Sequence, residues 1–351
     1  MKEINQLLRD NIKRLVPYAS ARDEFSGQAH IFLDANENSI GSPVTPKYNR
    51  YPDPHQRKIK QRLTEIKGVP AQHIFLGNGS DECIDLLFRA FCDPGEDNII
   101  ILPPTYGMYE VSAHIHDVEV RKAVLTADFD IDLALIEEQI DDNTKIIWLC
   151  SPNNPTGNAL NRQNIEIILN NFEGLVVIDE AYVNFSRQQS FIKELTEYPN
   201  LVILQTLSKA WGLAGLRIGM AFASEFVIDV LNQIKPPYNI GQATQDIVFE
   251  ALRETEVVNE MIRDIVKMRS DLAKDLSRLP GVLKVFPSEA NFLLVKIKNA
   301  QFVYRQLLEK GIVVRDRSSA AGCENCLRIT VGTQKENDIL LDSMTQLVSP
   351  D

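Results

Sequence analysis

The chain of 351 residues has few cysteines, no long apolar run and no excess of basic charge. No apolar stretch approaches the roughly 20 residues that a membrane-spanning helix needs. The 5 cysteines are scattered and odd in number, which favours a reducing compartment over a disulfide framework. With 37 basic and 48 acidic residues, the net charge of −11 gives no general attraction to nucleic acid or anionic membranes. These features predict a cytoplasmic protein without a nucleic-acid or membrane partner.

Short apolar segments rich in β-branched residues alternate with helical periodicity in the first two thirds of the chain. Four such segments are "NIIIL", "KIIWLC", "GLVVID" and "NLVILQT", and each is bounded by turn-forming residues. Because their apolar character is continuous, they predict strands buried on both faces of a mostly parallel sheet. The segment "DECIDLLFRAF" carries the apolar stripe of a helix that packs on such a sheet. The predicted fold class is therefore α/β.

The pattern changes at about residue 250, where a long helical stretch extends to Arg278. Four strand-like segments follow, "GVLKVF", "NFLLVKI", "GIVVRD" and "CLRITVG", together with the helical "AQFVYRQLLEKG". This arrangement predicts a second, smaller α+β domain. At the other end, "MKEINQLLRDNIKRL" has the spacing of one amphipathic helix.

Polar residues follow the predicted parallel strands, where ligands of open α/β sheets bind. They lie in "PPTYGMY", "SPNNPTG", "DEAY" and "LSK". A further segment, "FLGNGSDECIDLLF", predicts a helix that begins near Ser80 or Asp81. Its first amides and its dipole favour an anion such as phosphate, although a side-chain cap from either residue is the more common explanation of this pattern on its own.

Two ionisable residues stand in apolar surroundings. Asp179 ends a buried strand, where it either caps the next segment or pairs with a protonated ring nitrogen such as that of pyridoxal phosphate. Lys209, in "TLSKAWGLAGLRIG", is either an ordinary surface lysine or an amine whose lowered pKa makes it a nucleophile toward an aldehyde. In the second interpretation, the neighbouring Ser208 and Arg217 are candidate phosphate ligands.

Three further residues complete a candidate cofactor site. Asn154, just before a proline, could donate a hydrogen bond to a ring oxygen, and Tyr182 could reach the same oxygen. Tyr106 could stack on the ring face. Turn-forming asparagines and core tyrosines are the ordinary alternatives.

In this order the motifs resemble those of fold-type I pyridoxal-phosphate-dependent aminotransferases of class II. The similarity extends over nearly the whole chain and is greatest to the histidinol-phosphate aminotransferase family. Its matching segments are "VPYASAR", "LDANENSIGSP", "RYPDP", "GNGSDECIDLLFRAFCDPGE", "PPTYGMY", "SPNNPTG", "DEAYVNF", "TLSKAWGLAGLRIG", "GIVVRD" and "CLRITVGT". The resemblance implies an N-terminal arm (residues 1–28), a large cofactor-binding domain (29–250) and a small C-terminal domain (251–351).

The resemblance also implies a role for each candidate residue. Lys209 forms the Schiff base with the cofactor, Asp179 pairs with the ring nitrogen, and Tyr106 stacks on the ring. The ring oxygen is held by Asn154 and Tyr182. The cofactor phosphate is held by Ser80, Asp81, Ser208 and Arg217, and by Tyr51 from the neighbouring subunit of a homodimer. The substrate is bound by Arg328, Arg315 and Tyr18, although a surface ion pair is the ordinary alternative for an arginine in a strand and applies most to Arg315.

The implied reaction transfers the amino group of L-histidinol phosphate to 2-oxoglutarate, which gives L-glutamate and 3-(imidazol-4-yl)-2-oxopropyl phosphate. Two related enzymes remain alternatives, an aromatic amino-acid aminotransferase and a phosphothreonine decarboxylase. A non-enzymatic regulator of the same fold is a third. No metal site is predicted, because Cys323 and Cys326 have neither a second cysteine pair nor a nearby histidine.

Overall fold

The computed structural model describes residues 4–18 and 30–348. The helices in chain order are α1 (Ile4–Leu7), α2 (Asp10–Lys13), α3 (Arg57–Lys67), α4 (Ser80–Phe91), α5 (Met108–Ile115), α6 (Leu133–Gln139), α7 (Arg162–Asn171), α8 (Glu225–Ile234), α9 (Gln242–Ala251), α10 (Thr255–Leu276), α11 (Ala300–Glu309) and α12 (Gln334–Leu347). The strands are β1 (Ile74–Asn78), β2 (Asn98–Ile101), β3 (Glu119–Lys122), β4 (Thr144–Cys150), β5 (Leu175–Asp179), β6 (Leu201–Thr206), β7 (Ile218–Ala223), β8 (Val282–Val285), β9 (Phe292–Ile297), β10 (Arg315–Asp316) and β11 (Cys326–Thr330).

A seven-stranded sheet forms the centre of the larger part of the molecule, in the order β1-β7-β6-β5-β4-β2-β3. The four apolar segments singled out in the sequence are β2, β4, β5 and β6, and they are parallel neighbours. Strand β7 alone runs antiparallel, to both β6 and β1. The predicted strands and their mostly parallel arrangement are confirmed.

Both faces of this sheet are buried under helices. Along β4, Ile147 and Leu149 join one apolar cluster, which includes residues of α3 and α7, while Ile146 and Trp148 join the cluster on the opposite face with α4 and α8. This alternation follows from the two-residue period of a strand. Each buried aliphatic side chain contributes roughly 1.5–3 kcal/mol from burial. The predicted α/β class is confirmed.

A second sheet of four antiparallel strands, in the order β10-β11-β9-β8, packs with α10, α11 and α12 around an apolar cluster of its own. This is the predicted α+β region, while its boundary at residue 251 stays a prediction. The strand predicted over "GIVVRD" is wrong for most of its length, because only Arg315 and Asp316 pair with β11. Gly311 turns the chain with φ +75°, and the amide of Ile312 donates to the Leu307 carbonyl at the end of α11.

The single amphipathic helix predicted near the N-terminus is two short helices, α1 and α2. The break comes at Arg9, whose amide donates to the Ala90 carbonyl of α4 and whose side chain pairs with Asp93 at 2.8 Å. Of the predicted arm over 1–28, residues 1–3 and 19–28 lie outside the described part of the chain, as do residues 349–351 of the predicted small domain. In the described ranges, no helix combines the length and the apolar character needed to cross a bilayer.

Candidate active site

A cavity of about 560 Å³ opens beyond the carboxyl ends of β4, β5 and β6. It brings together eleven residues that the sequence predicted for one site: Ser80, Asp81, Tyr106, Asn154, Asp179, Tyr182, Ser208, Lys209, Arg217, Arg315 and Arg328. The first nine lie in α4, at the end of β5 or in loops that connect the strands of the large sheet, and the last two lie in the second sheet. The location agrees with the general rule for open α/β sheets.

Asp179 is the last residue of β5 and is buried at the floor of the cavity. One carboxylate oxygen, Oδ2, accepts a hydrogen bond from the Tyr109 hydroxyl at 2.6 Å, and Oδ1 accepts one from the Ala181 amide at 3.0 Å. Burial raises the pKa of this carboxyl group, and the Tyr109 hydrogen bond opposes the rise. A cationic group in the cavity would therefore stabilise the ionised carboxylate.

Lys209 follows β6 by three residues and lines the cavity. Its Nζ is 5.7 Å from the centroid of the Tyr182 ring. Desolvation lowers the pKa of Lys209, and the positive charges of Arg328 and Arg217 lower it further, while Asp179 raises it. The result is an amine that loses its proton more readily than an ordinary lysine. This property is what a nucleophile or a base needs.

The N-terminus of α4 forms one end of the cavity. Gly79 is the residue before the helix, and no side chain caps it, so the alternative of a cap from Ser80 or Asp81 is wrong. The Asp81 carboxylate instead accepts a hydrogen bond from Tyr106 at 3.2 Å and lies 3.3 Å from Arg217 Nη2. Uncapped first-turn amides beside a guanidinium form a site for an anion.

Strand β7 reaches this helix start through Gly219. A Cβ atom on Gly219 would lie 2.1 Å from the Ser80 amide nitrogen, so the close approach requires the absence of a side chain. We expect Gly219→Ala to lower the free energy of unfolding by about 1–3 kcal/mol, because backbone must move to relieve the overlap. The measurement is thermal unfolding, with a fall of several degrees.

The matched control for this substitution is Gly215→Ala, since a Cβ on Gly215 meets nothing within 4 Å. Equal melting temperatures for the two variants would show that the contact between β7 and α4 is not tight.

The opposite end of the cavity is basic. Arg315 of β10 and Arg328 of β11 are paired in register. Arg328 Nη1 donates to Asn154 Oδ1 at 2.5 Å, and its guanidinium lies 5.3 Å from the Phe292 ring centroid. Desolvation lowers the pKa of Arg328. A guanidinium has no acceptor atom, so this contact fixes the Asn154 amide with Oδ1 toward Arg328 and leaves Nδ2 available as a donor.

Two residues of the site are not predicted by the sequence, one behind the cavity wall and one in it. Tyr109 is fully buried, stacks on Trp148 at 4.8 Å between ring centroids, and donates to Asp179. It lies three residues after Tyr106, which precedes α5, and the two rings meet edge-on with centroids 5.5 Å apart. Arg317 lines the cavity. It stands two residues after Arg315, the spacing of side chains on the same side of an extended segment.

Two predicted residues do not line the cavity of their own chain. Tyr51 is 49% exposed and stacks on Tyr238 with ring centroids 4.4 Å apart. Tyr18 is 75% exposed. The roles predicted for both tyrosines stay predictions.

The fold and the cavity together define an enzyme of the large α/β transferase class. The chain belongs to the aminotransferase class I and II family, whose family model matches residues 30–344. The resemblance stated from the sequence is thereby confirmed. A histidinol-phosphate aminotransferase from Parabacteroides distasonis is 54% identical over 347 residues, covering 99% of this chain and 99% of that protein.

Solved structures agree with this assignment. The histidinol-phosphate aminotransferase from Clostridium acetobutylicum superposes with a TM-score of 0.79 at 26% identity, covering 86% of this chain and 91% of that one. The enzyme of the same name from Sinorhizobium meliloti, in complex with pyridoxal-5'-phosphate, has a TM-score of 0.79 at 22% identity. That comparison covers 90% of this chain and 89% of the other, and it supports the fold.

Proposed function

We propose that this protein transfers the amino group of L-histidinol phosphate to 2-oxoglutarate with pyridoxal phosphate as its cofactor. The observation that carries the proposal is one cavity with an amine of lowered pKa, a buried carboxylate and a separate cationic group at each end. One cationic end suits the cofactor's phosphate, and the other suits the phosphate of the substrate. The near full-length similarity to histidinol-phosphate aminotransferases supports the same substrate.

The residues present fit the cofactor. The uncapped start of α4, at Ser80 and Asp81, would hold its phosphate together with Ser208 and Arg217. Burial destabilises the ionised form of Asp179, and a protonated ring nitrogen would stabilise it, so Asp179 would pair with that nitrogen. The Asn154 amide is already oriented by Arg328, so its Nδ2 would donate to the ring oxygen beside Tyr182. The ring of Tyr106 would stack on the cofactor ring.

Bound pyridoxal phosphate supplies an aldehyde for the amino group and a protonated ring that withdraws electrons. Lys209 would hold the aldehyde covalently and, once replaced by the substrate amine, take the proton from the substrate's α-carbon. Asp179 would keep the ring nitrogen protonated, and Tyr109 would keep the Asp179 carboxylate in position. Arg328 and Arg315, with Tyr18, would bind the substrate phosphate and so place the α-carbon near the Lys209 amine.

A homodimer and a cytoplasmic location belong to the same proposal. The segments around residues 16 and 30–44 expose several large apolar side chains on the single chain: Val16, Ile31, Leu33, Ile40 and Val44. Exposed apolar surface of this kind is typical of a protein interface. Tyr51, which lies away from its own cavity, would reach the cofactor phosphate of the other subunit. The five cysteines are all buried thiols, as a reducing compartment favours.

The proposal is tested by half-reactions of the purified holoenzyme, followed by absorbance of the bound cofactor. Glutamate and histidinol phosphate should each convert it to the amino form, and phenylalanine should react at least tenfold less efficiently. Faster conversion by phenylalanine would identify an aromatic aminotransferase. Release of carbon dioxide from phosphothreonine, without reaction of histidinol phosphate, would identify the decarboxylase.

Arg328→Ala tests the substrate end of the cavity. We expect kcat/KM for histidinol phosphate to fall by roughly 10²-fold or more, mostly through KM, because removing one partner of a desolvated charge pair costs about 2–5 kcal/mol. Steady-state kinetics measure the change. Arg328→Lys should be intermediate, since it restores the charge but not the planar fork.

Arg328 also orients Asn154, which would hold the cofactor, so its replacement could weaken cofactor binding as well. Cofactor affinity is therefore measured in the same Arg328 variants to separate the two effects. An unchanged KM for histidinol phosphate in Arg328→Ala would contradict the assignment of this residue to the substrate.

A further inference from the structure

Arg317 places a third guanidinium in the basic end of the cavity. Its backbone amide donates to the Cys326 carbonyl at 2.9 Å, which continues the pairing of β10 with β11 by one residue. Arg315 and Arg317 are therefore two residues apart on one extended segment, and both side chains line the cavity with Arg328.

Apart from the contact of Arg328 with Asn154, no hydrogen bond to a described protein acceptor occupies these guanidinium groups. The Nε atoms of Arg317 and Arg328 are buried without a hydrogen-bond partner. Within residues 4–18 and 30–348, no carboxylate forms an ion pair with Arg315, Arg317 or Arg328. A buried donor without an acceptor costs about 1–3 kcal/mol, so this end of the cavity is arranged for acceptor atoms that the protein itself does not supply.

The charge of the cluster distinguishes between anions. Arg317 and Arg315 both lower the pKa of Arg328, so the three cations are close enough to repel one another. A carboxylate brings one negative charge and two oxygens to such a cluster. A phosphate monoester brings about 1.5 to 2 negative charges at pH 7 and three oxygens. A phosphate ester therefore offers the third guanidinium an oxygen of its own and balances more of the positive charge of the cluster than a carboxylate does.

We infer that Arg317 is a specificity-determining residue that binds the substrate's phosphate group together with Arg315 and Arg328, and that it selects phosphorylated amines over amines that carry only a carboxylate. The inference rests on the proposed function. It adds a phosphate ligand to the two that the sequence resemblance implies.

The test compares Arg317→Gln with the wild-type holoenzyme on histidinol phosphate and on phenylalanine. We expect kcat/KM for histidinol phosphate to fall about 10- to 100-fold, chiefly through a higher KM, because one charge-assisted contact is lost. The value for phenylalanine should change less than about threefold. Arg317→Lys should recover part of the loss, since it restores the positive charge. Arg305→Gln, on the exposed face of α11, is the control for a change of charge in the same part of the molecule.

Two results would overturn the inference. An unchanged KM for histidinol phosphate in Arg317→Gln would show that the phosphate does not contact this residue. An equal loss for both substrates would show a structural role instead. A wild-type enzyme that does not convert histidinol phosphate would overturn the proposed function and the inference with it. That failure is visible before any variant is made, whereas failure of the inference alone is visible only in the variant.

Discussion

Replacing Lys209 with alanine is expected to abolish turnover, with kcat reduced at least roughly 10⁴-fold. The general base alone contributes about 10²–10⁴, and in the proposed mechanism the same amine also holds the cofactor. The lowered pKa of Lys209 and its place in the cavity beside Tyr182 and Asp179 are the physical basis of the expectation. Steady-state assays with histidinol phosphate and 2-oxoglutarate measure the loss.

A second measurement does not depend on activity. Reduction with borohydride should fix pyridoxal phosphate to the wild-type protein, and mass spectrometry should find it on the peptide that contains Lys209. The matched control is Lys193→Ala, because Lys193 is exposed and lies away from the cavity lining. Retained turnover in Lys209→Ala, or the cofactor on a different lysine, would mean that another amine is the reactive one.

Asp179→Asn is expected to lower kcat by roughly 10²- to 10⁴-fold while making the cofactor-free protein more stable at neutral pH. Activity falls because a neutral amide cannot pair with a positive ring nitrogen, so electron withdrawal by the ring is lost. Stability rises because the buried carboxylate is costly in its ionised form, and an amide carries no such cost. Asparagine can keep both hydrogen bonds, since Oδ1 accepts from the Ala181 amide and Nδ2 can donate to the Tyr109 hydroxyl.

The pH dependence of this stability difference follows from the direction of the pKa shift. The pKa of Asp179 is raised in the folded state above its ordinary value of 3.8. Below pH 3.8 the carboxyl is protonated in both states and costs nothing. The penalty grows as the pH rises from 3.8 through the folded-state pKa, and it is complete above that value. Thermal unfolding of cofactor-free protein at neutral and acidic pH measures the difference.

The control for the stability effect is Asp264→Asn, at an exposed position of α10. If Asp179→Asn were less stable than wild type at neutral pH without cofactor, the buried carboxylate would have a stabilising partner within the protein, and the proposed pairing with the cofactor would lose its basis.

The large sheet was predictable because its central strands are buried on both faces. Segments such as "GLVVID" must then be continuously apolar, and the first polar residue after each one marks the carboxyl edge of the sheet. Asp179, which ends β5, is predictable in this way, whereas Lys209 is conspicuous as a single lysine in an apolar, glycine-rich segment after β6. The second sheet was predicted less well, since the chain before Arg315 is apolar but turns at Gly311 instead of pairing.

Residues that act through a neighbour were harder to predict. Tyr109 has the sequence context of any core aromatic on a helix, and only the fold shows its hydroxyl 2.6 Å from Asp179. Arg317 was hard to predict for another reason, since it stands just beyond the predicted strand "GIVVRD" and its pairing with Cys326 is visible only in the fold. Tyr51 presents a different difficulty, because the role predicted for it lies in another subunit, and its stacking on Tyr238 within its own chain gives no information about that role.

The proposed proton-transfer base and the arginines proposed for the phosphate belong to different sheets. Lys209 follows β6 of the large sheet, while Arg315 and Arg328 are carried by β10 and β11 of the second. In the proposed mechanism, the separation of the two sheets therefore sets the length of the substrate, because its phosphate must reach the arginines while its α-carbon lies at the amine. A homologue of histidinol phosphate with one additional methylene would keep its charge contacts and yet place the wrong carbon opposite the amine, so it should bind well and react slowly.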